Sequence, residues 1–247
     1  MKNIFVEGHR GYCAEYPENT LVSYEAAIDL GVDGFEFDIW LSKDKVPVLM
    51  HDRNCFRTCK YDGNLSDMTL AQIKELDAGF SGKFGDKFIG KGIKVPTLRE
   101  LCELVHTKRP DITLGVEIKE YTEETVDISV AILKEFNLFD RACFYAFDAP
   151  TIKYLKTQYN ARTMGYPDFQ MKRFDISDGY RYYDEIGLSM AIAHSEAAKI
   201  YLGKGFPVHF YCADNEDEVR FCLSEPSCTL ITANNPVPLM KVLGRIE

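Results

Sequence analysis

Apolar residues in this chain gather in short runs that end in polar, ionisable side chains, and between those runs apolar positions recur at helical spacing. Ile4-Phe5-Val6 leads to His9, and Val46-Pro47-Val48-Leu49-Met50 leads to His51. Gly34-Phe35-Glu36-Phe37-Asp38-Ile39 sets two acids in alternation with apolar residues. Such runs predict buried strands at residues 4–9, about 34–39 and 46–51, the last after a turn at Ser42-Lys43-Asp44-Lys45. Asn19-Thr20 predicts the cap of a helix over Leu21 to Leu30, which Gly31 stops. From residue 97 the rhythm is regular: a helix to about 107, the strand Thr113–Ile118, a helix at 122–136 and the strand Ala142–Ala146. Asp148 caps a helix to about 157, a strand follows at 162–166, and the aromatic, charged stretch 169–184 is read as helical. The strand Ile186–Met190, the helix Ser195–Leu202, the strand Pro207–Cys212, a helix at 215–223, the strand Thr229–Thr232 and a helix at about 236–244 complete the pattern.

Strands alternating with helices predict an α/β chain folded as a closed (β/α)8 TIM barrel rather than an open doubly wound sheet. No Pro- or Ser-rich linker and no internal repeat divides the chain, so residues 1–247 are expected to form one domain. Residues 52–96 break the rhythm. They are polar and glycine-rich, with one short helix expected at 69–76, and read as a small insertion after the strand ending at His51. Phe80, Phe84 and Phe88 would either roof the site or pack the insertion onto the barrel.

Composition narrows the partners. Lys and Arg number 29 against 38 Asp and Glu, a net charge of -9, with no basic cluster. That argues against nucleic acid and against an anionic membrane surface. No apolar stretch reaches the length of a membrane span. The first strand starts almost at Met1, leaving no room for an export signal, so the expected location is cytoplasmic. The eight cysteines contain no Cys-x-x-Cys pair, which predicts free, mostly buried thiols.

The charged residues then suggest the chemistry. Residues two apart on a strand share a face, so Glu36 and Asp38 point the same way, as do Glu117 and Lys119. Three carboxylates at strand ends would repel unless a cation lies among them, and Mg2+ or Ca2+ suits oxygen ligands. Arg10 and Lys119 would flank this cage and hold an anionic tetrahedral group. His9 and His51, on separate strands, can take and give a proton near neutral pH. Pro17-Glu18-Asn19-Thr20 reads as the architecture of the first helix entry, and Asp52 as a residue that orients the loop after His51. His106, His194 and His209 follow no ligand spacing and read as surface or helix-end histidines. Gly85-x4-Gly90-Lys91-Gly92 misses the P-loop pattern, lacking the hydroxyl after Lys91.

The order His9-Arg10-Gly11, Pro17-Glu18-Asn19-Thr20, Glu36-x-Asp38, His51-Asp52, Glu117-Ile118-Lys119 resembles the glycerophosphodiester phosphodiesterase family. Arg57-Thr58, Leu76-Asp77-Ala78-Gly79 and Val95-Pro96-Thr97-Leu98 extend the likeness. The resemblance implies a (β/α)8 barrel and metal-dependent hydrolysis of a small glycerophosphodiester to glycerol 3-phosphate and an alcohol. It implies Glu36, Asp38 and Glu117 as metal ligands, His9 and His51 as the acid/base pair, and Arg10 and Lys119 as phosphate contacts. It also implies attack by a glycerol hydroxyl, giving a cyclic phosphate that water opens. Three places depart from the family pattern: Ala146-Phe147 for Ser-Phe, Tyr211 for a tryptophan, and Ala233-Asn234-Asn235-Pro236 for Thr-Asp-x-Pro. The alternatives are a sphingomyelinase D-like phospholipase and a non-catalytic barrel that binds a phosphate ligand.

Overall fold

The computed structural model describes residues 4–80 and 82–247; Ser81, inside the expected insertion, lies outside them. Nine strands occur among the described residues: β1 (Phe5–Gly8), β2 (Gly34–Leu41), β3 (Pro47–Leu49), β4 (Thr113–Ile118), β5 (Ala142–Tyr145), β6 (Arg162–Gly165), β7 (Glu185–Ser189), β8 (Val208–Tyr211) and β9 (Cys228–Ala233). Eight of them form a closed parallel ring in the order β1-β2-β4-β5-β6-β7-β8-β9, and β9 returns to β1 through Phe5↔Leu230 to Gly8↔Ala233. The expected barrel is present.

The strand at 46–51 is not one of its staves. Only Pro47–Leu49 is extended, and it pairs antiparallel with the far end of β2, Ile39 opposite Leu49 and Leu41 opposite Pro47. A four-residue turn cannot make the crossover that a parallel neighbour needs, so the chain folds back outside the ring as a hairpin. The segment 169–184 also differs from expectation. It holds a short 3-10 turn at Asp168–Gln170 and then turns. Arg173 (φ 51) and Gly179 (φ 55) take left-handed backbone that no α-helix continues. Its aromatics pack on one another instead, Tyr180 lying within 6.2 Å of Phe174, Tyr183, Tyr201 and Phe206.

The staves are buried on both faces, as parallel strands under helices must be. On β2 the outward Phe35 and Phe37 are inaccessible and pack against Tyr24 of the helix Leu21–Leu30, while Glu36 and Asp38 turn into the ring. That helix begins where expected, with the Thr20 side chain accepting from the Ser23 amide, and ends at Gly31 in the left-handed region (φ 87). Residues 52–96 gather Cys55, Cys59, Leu65, Ile73 and Val95 into a second cluster around Val48 and Met50, beside the barrel. None of the eight cysteines is joined in a disulfide, and only Cys13 and Cys212 are partly exposed. No described helix is long and apolar enough to cross a membrane.

Candidate active site

At the C-terminal ends of the staves lies a cavity of about 200 Å³. Its charged side is made by His9, Arg10, Glu36, His51, Glu117 and Lys119, and its other side by Tyr145, Phe147, Met164, Tyr166 and Tyr211. The ring register puts the acids together: Asp38 lies opposite Glu117 and Glu36 opposite Gly115. Carboxylate oxygens of Glu36, Asp38 and Glu117 lie within 4.8 Å of one another, and all three residues are buried. Glu36 Oε1 is buried without a hydrogen-bond partner, and Asp38 Oδ1, also buried, has only the ionic contact of the Lys119 ammonium. Burial, with Asp38 and Glu117 close by, raises the Glu36 carboxyl well above its usual range. Burial also raises Glu117, with Asp38 adding to it against the pull of Lys119. Asp38 behaves oppositely: burial opposes its charge, but Lys119 and Arg10 hold its carboxyl well below the ordinary value. An all-oxygen set with spare acceptors and mutual repulsion fits a hard divalent cation.

Arg10 and Lys119 border this cluster as expected, and both are paired with acids. Lys119 Nζ is 2.6 Å from Glu117 Oε1 and 3.1 Å from Asp38 Oδ1. Arg10 donates to Glu18 Oε1 at 2.8 Å, its Nε lies 3.4 Å from Asp38 Oδ2, and its backbone amide donates to Glu36 Oε2 at 3.1 Å. That amide is aimed by a left-handed turn at Arg10 (φ 54) and Gly11 (φ 85). A Cβ on Gly11 would stand 2.6 Å from the Ser23 carbonyl carbon, so the turn packs against the first helix only with glycine there.

The two histidines differ in their anchors. His9 Nδ1 is 2.7 Å from Asn234 Oδ1, an amide oxygen that only accepts, so the ring proton sits on Nδ1 and Nε2 keeps its lone pair. Nε2 lies 3.8 Å from Glu36 Oε2. Burial, and then Arg10, lower the His9 pKa to about 4. His51 instead meets a carboxylate, with Nδ1 2.6 Å from Asp52 Oδ1.

Several residues of the site were read otherwise from sequence. Thr20 does cap the helix, but its neighbours do more than architecture. Glu18 pairs with Arg10 and Arg57, and Asn19 donates to Asp38 Oδ2 at 2.7 Å while its own oxygen accepts from Tyr24. Asn19 also has left-handed backbone (φ 54), which asparagine tolerates. Asn234 was visible only as a departure from a pattern, yet it anchors His9. His209 is neither on the surface nor at a helix end. It is 1% exposed, in the middle of β8, and lines the cavity with Thr232. The available signal was its spacing from Tyr211, two residues on and facing the same way. His106 and His194 are exposed, as expected. Phe147 lies flat on Tyr166, ring centroids 3.7 Å apart. Among the described residues, none from 52–96 lines this cavity, so Phe84 and Phe88 do not roof it; they pack on each other and, through Phe88, on Tyr16.

A family model described as the glycerophosphoryl diester phosphodiesterase family matches residues 9–233. A glycerophosphodiester phosphodiesterase of Caldanaerobacter subterraneus is 36% identical over 159 residues, which are 63% of this chain and 63% of the relative. The match thus spans somewhat under two thirds of that relative's length. Among solved structures, an Oleispira antarctica phosphodiesterase in complex with the product sn-glycerol-3-phosphate aligns over 97% of this chain and 96% of its own, with a TM-score of 0.83 at 23% identity. A glycerophosphodiester phosphodiesterase from Thermotoga maritima aligns over 98% of this chain and 99% of its own, with a TM-score of 0.76 at 24% identity. At these identities the structures establish the fold.

Proposed function

The chain belongs to the glycerophosphoryl diester phosphodiesterase family, and on that premise we propose that it hydrolyses small glycerophosphodiesters to glycerol 3-phosphate and an alcohol, using a divalent cation. The observation that carries this reading is the packing of three buried carboxylates within 4.8 Å beside two histidines with different anchors. Glu36, Asp38 and Glu117 would hold Mg2+ or Ca2+. When bound, that cation supplies positive charge to offset what builds up on the phosphoryl oxygens. Arg10 and Lys119 orient the phosphate from either side of the acids, Arg10 through its planar fork and Lys119 as a point charge.

The anchors divide the proton transfers. His9, with its proton on Nδ1, presents Nε2 as a base to the attacking oxygen. His51, whose Nδ1–H is held by Asp52, presents Nε2–H as the acid. The nucleophile's oxygen bonds to phosphorus as the P–O bond to the alcohol breaks. Its proton passes to His9 and the departing oxygen takes one from His51. The domain doing this is the single barrel with 52–96 as an insertion in it, and its unbridged thiols suit a reducing compartment such as the cytoplasm.

The test is an assay with glycerophosphocholine and glycerophosphoethanolamine, with Mg2+ or Ca2+ added or chelated. Turnover that chelation abolishes and either ion restores is the expected result. Turnover indifferent to chelation would sink the metal assignment, and no turnover of any glycerophosphodiester would sink the substrate class.

A further inference from the structure

One layer below the charged groups, four inward side chains from four staves form a connected set. Glu7 on β1, Tyr145 on β5, His209 on β8 and Thr232 on β9 are each no more than 2% exposed. Tyr145 Oη donates to Glu7 Oε1 at 3.0 Å, and Thr232 Oγ1 donates to Glu7 Oε2 at 2.9 Å. His209 Nε2 meets the same Thr232 hydroxyl. A threonine has one proton to give. With that proton committed to the carboxylate, the contact with His209 needs an Nε2–H. Neutral His209 is therefore the Nε2 tautomer, and its Nδ1 carries a lone pair.

That Nδ1 is buried and has no hydrogen-bond partner among the described residues. Tyr145 and Thr232, the polar side chains beside it at the cavity floor, are both occupied by Glu7. The floor thus offers one spare acceptor. Leaving a buried acceptor unmet is costly, which points to a partner from outside the chain. One layer of a barrel is two residues along a strand, about 6.6 Å, within reach of a three-carbon chain hanging from a phosphate held at the rim.

Resting on the function proposed above, we propose that the cavity floor is a hydroxyl subsite, where His209 Nδ1 accepts a hydrogen bond from a carbinol of the substrate. His209 then selects a polyol phosphate over the same carbon chain without hydroxyls.

The experiment is equilibrium binding of glycerol 3-phosphate and of propyl phosphate, with Mg2+ present, to the wild-type protein, H209N and H209Q. An asparagine oxygen reaches the place of Nδ1, whereas a glutamine amide reaches the place of Nε2 and keeps the Thr232 contact. Wild-type protein is expected to favour glycerol 3-phosphate by about tenfold, roughly the worth of one hydrogen bond. H209N keeps most of that preference. H209Q loses it through weaker glycerol 3-phosphate binding, while propyl phosphate affinity stays unchanged. Undiminished preference in H209Q, or equal weakening of both ligands, would overturn the subsite and leave the function standing. Wild-type protein that binds neither phosphate would overturn both.

Discussion

Arg57 holds Glu18 with both ends of its guanidinium, Nη1 2.6 Å from Oε2 and Nη2 2.8 Å from Oε1, while its Nε donates to Asp52 Oδ2 at 2.6 Å. Glu18 also anchors Arg10, and Asp52 anchors His51. One residue of the segment 52–96 thereby ties the proposed acid to a proposed phosphate contact. R57A is expected to lower kcat about tenfold, from about 1–2 kcal/mol of lost charge-assisted hydrogen bonding. R57K should fall between, since it keeps charge without the fork. Steady-state kinetics beside thermal melts check this; unchanged kcat in R57A would remove the linkage.

The different anchors of the two histidines predict different responses to the leaving group. H51A should lose several orders of magnitude on an alkyl phosphodiester, yet far less on a p-nitrophenyl one, which departs without a proton. H9A should lose activity on both. Rates of the two variants on the two substrates check the assignment, and reversed sensitivities would exchange the roles.

The acid cluster makes stability depend on pH in a set direction. Glu36 and Glu117 have raised carboxyls in the fold, so their ionisation opposes folding. Stability from these groups is full below the ordinary glutamate range and is lost as pH rises towards the folded values. In chelator, the melting temperature should therefore fall as pH rises above the ordinary glutamate range, and E36Q should raise it at pH 7 by a few degrees, about 2–4 °C per kcal/mol. Saturating Mg2+ or Ca2+ should flatten the dependence. Melting curves with and without chelator decide it; a metal-free E36Q that melts lower than wild type contradicts the repulsion.

Gly115 on β4 leaves room for the contact beneath it. A Cβ there would stand 2.8 Å from Glu7 Oε1 and 2.9 Å from Tyr145 Oη. G115A is expected to cost about 1–3 kcal/mol by overpacking, seen as a lower melting temperature. G115A with the stability of wild type would show that the Glu7–Tyr145 bond yields easily.

Much of this site was legible because period-two alternation puts Glu36 with Asp38, and Glu117 with Lys119, whatever the tertiary details. What escaped reading depended on partners far away in sequence. Thr232 reaches Glu7 across 225 residues, so His209 in mid-strand looked like any stray polar residue. Asn234 anchors His9 over a like distance. The run ending at Met50 failed for another reason. An apolar segment reads the same in a stave as in a hairpin, and only the four-residue turn before it excludes a parallel pairing. In 169–184 the helical reading fails because Arg173 and Gly179 break the backbone and the rings pack locally.

The hairpin has one more result. Leu49 pairs with Ile39, and the Met50 amide donates to the carbonyl of Asp38 at 3.2 Å, one residue before His51. The proposed acid and two of the three clustered carboxylates therefore ride on a single ribbon whose spacing is set by neighbouring rungs. That spacing is therefore fixed locally, and does not depend on rungs elsewhere around the circle such as the two that join β6 to β7.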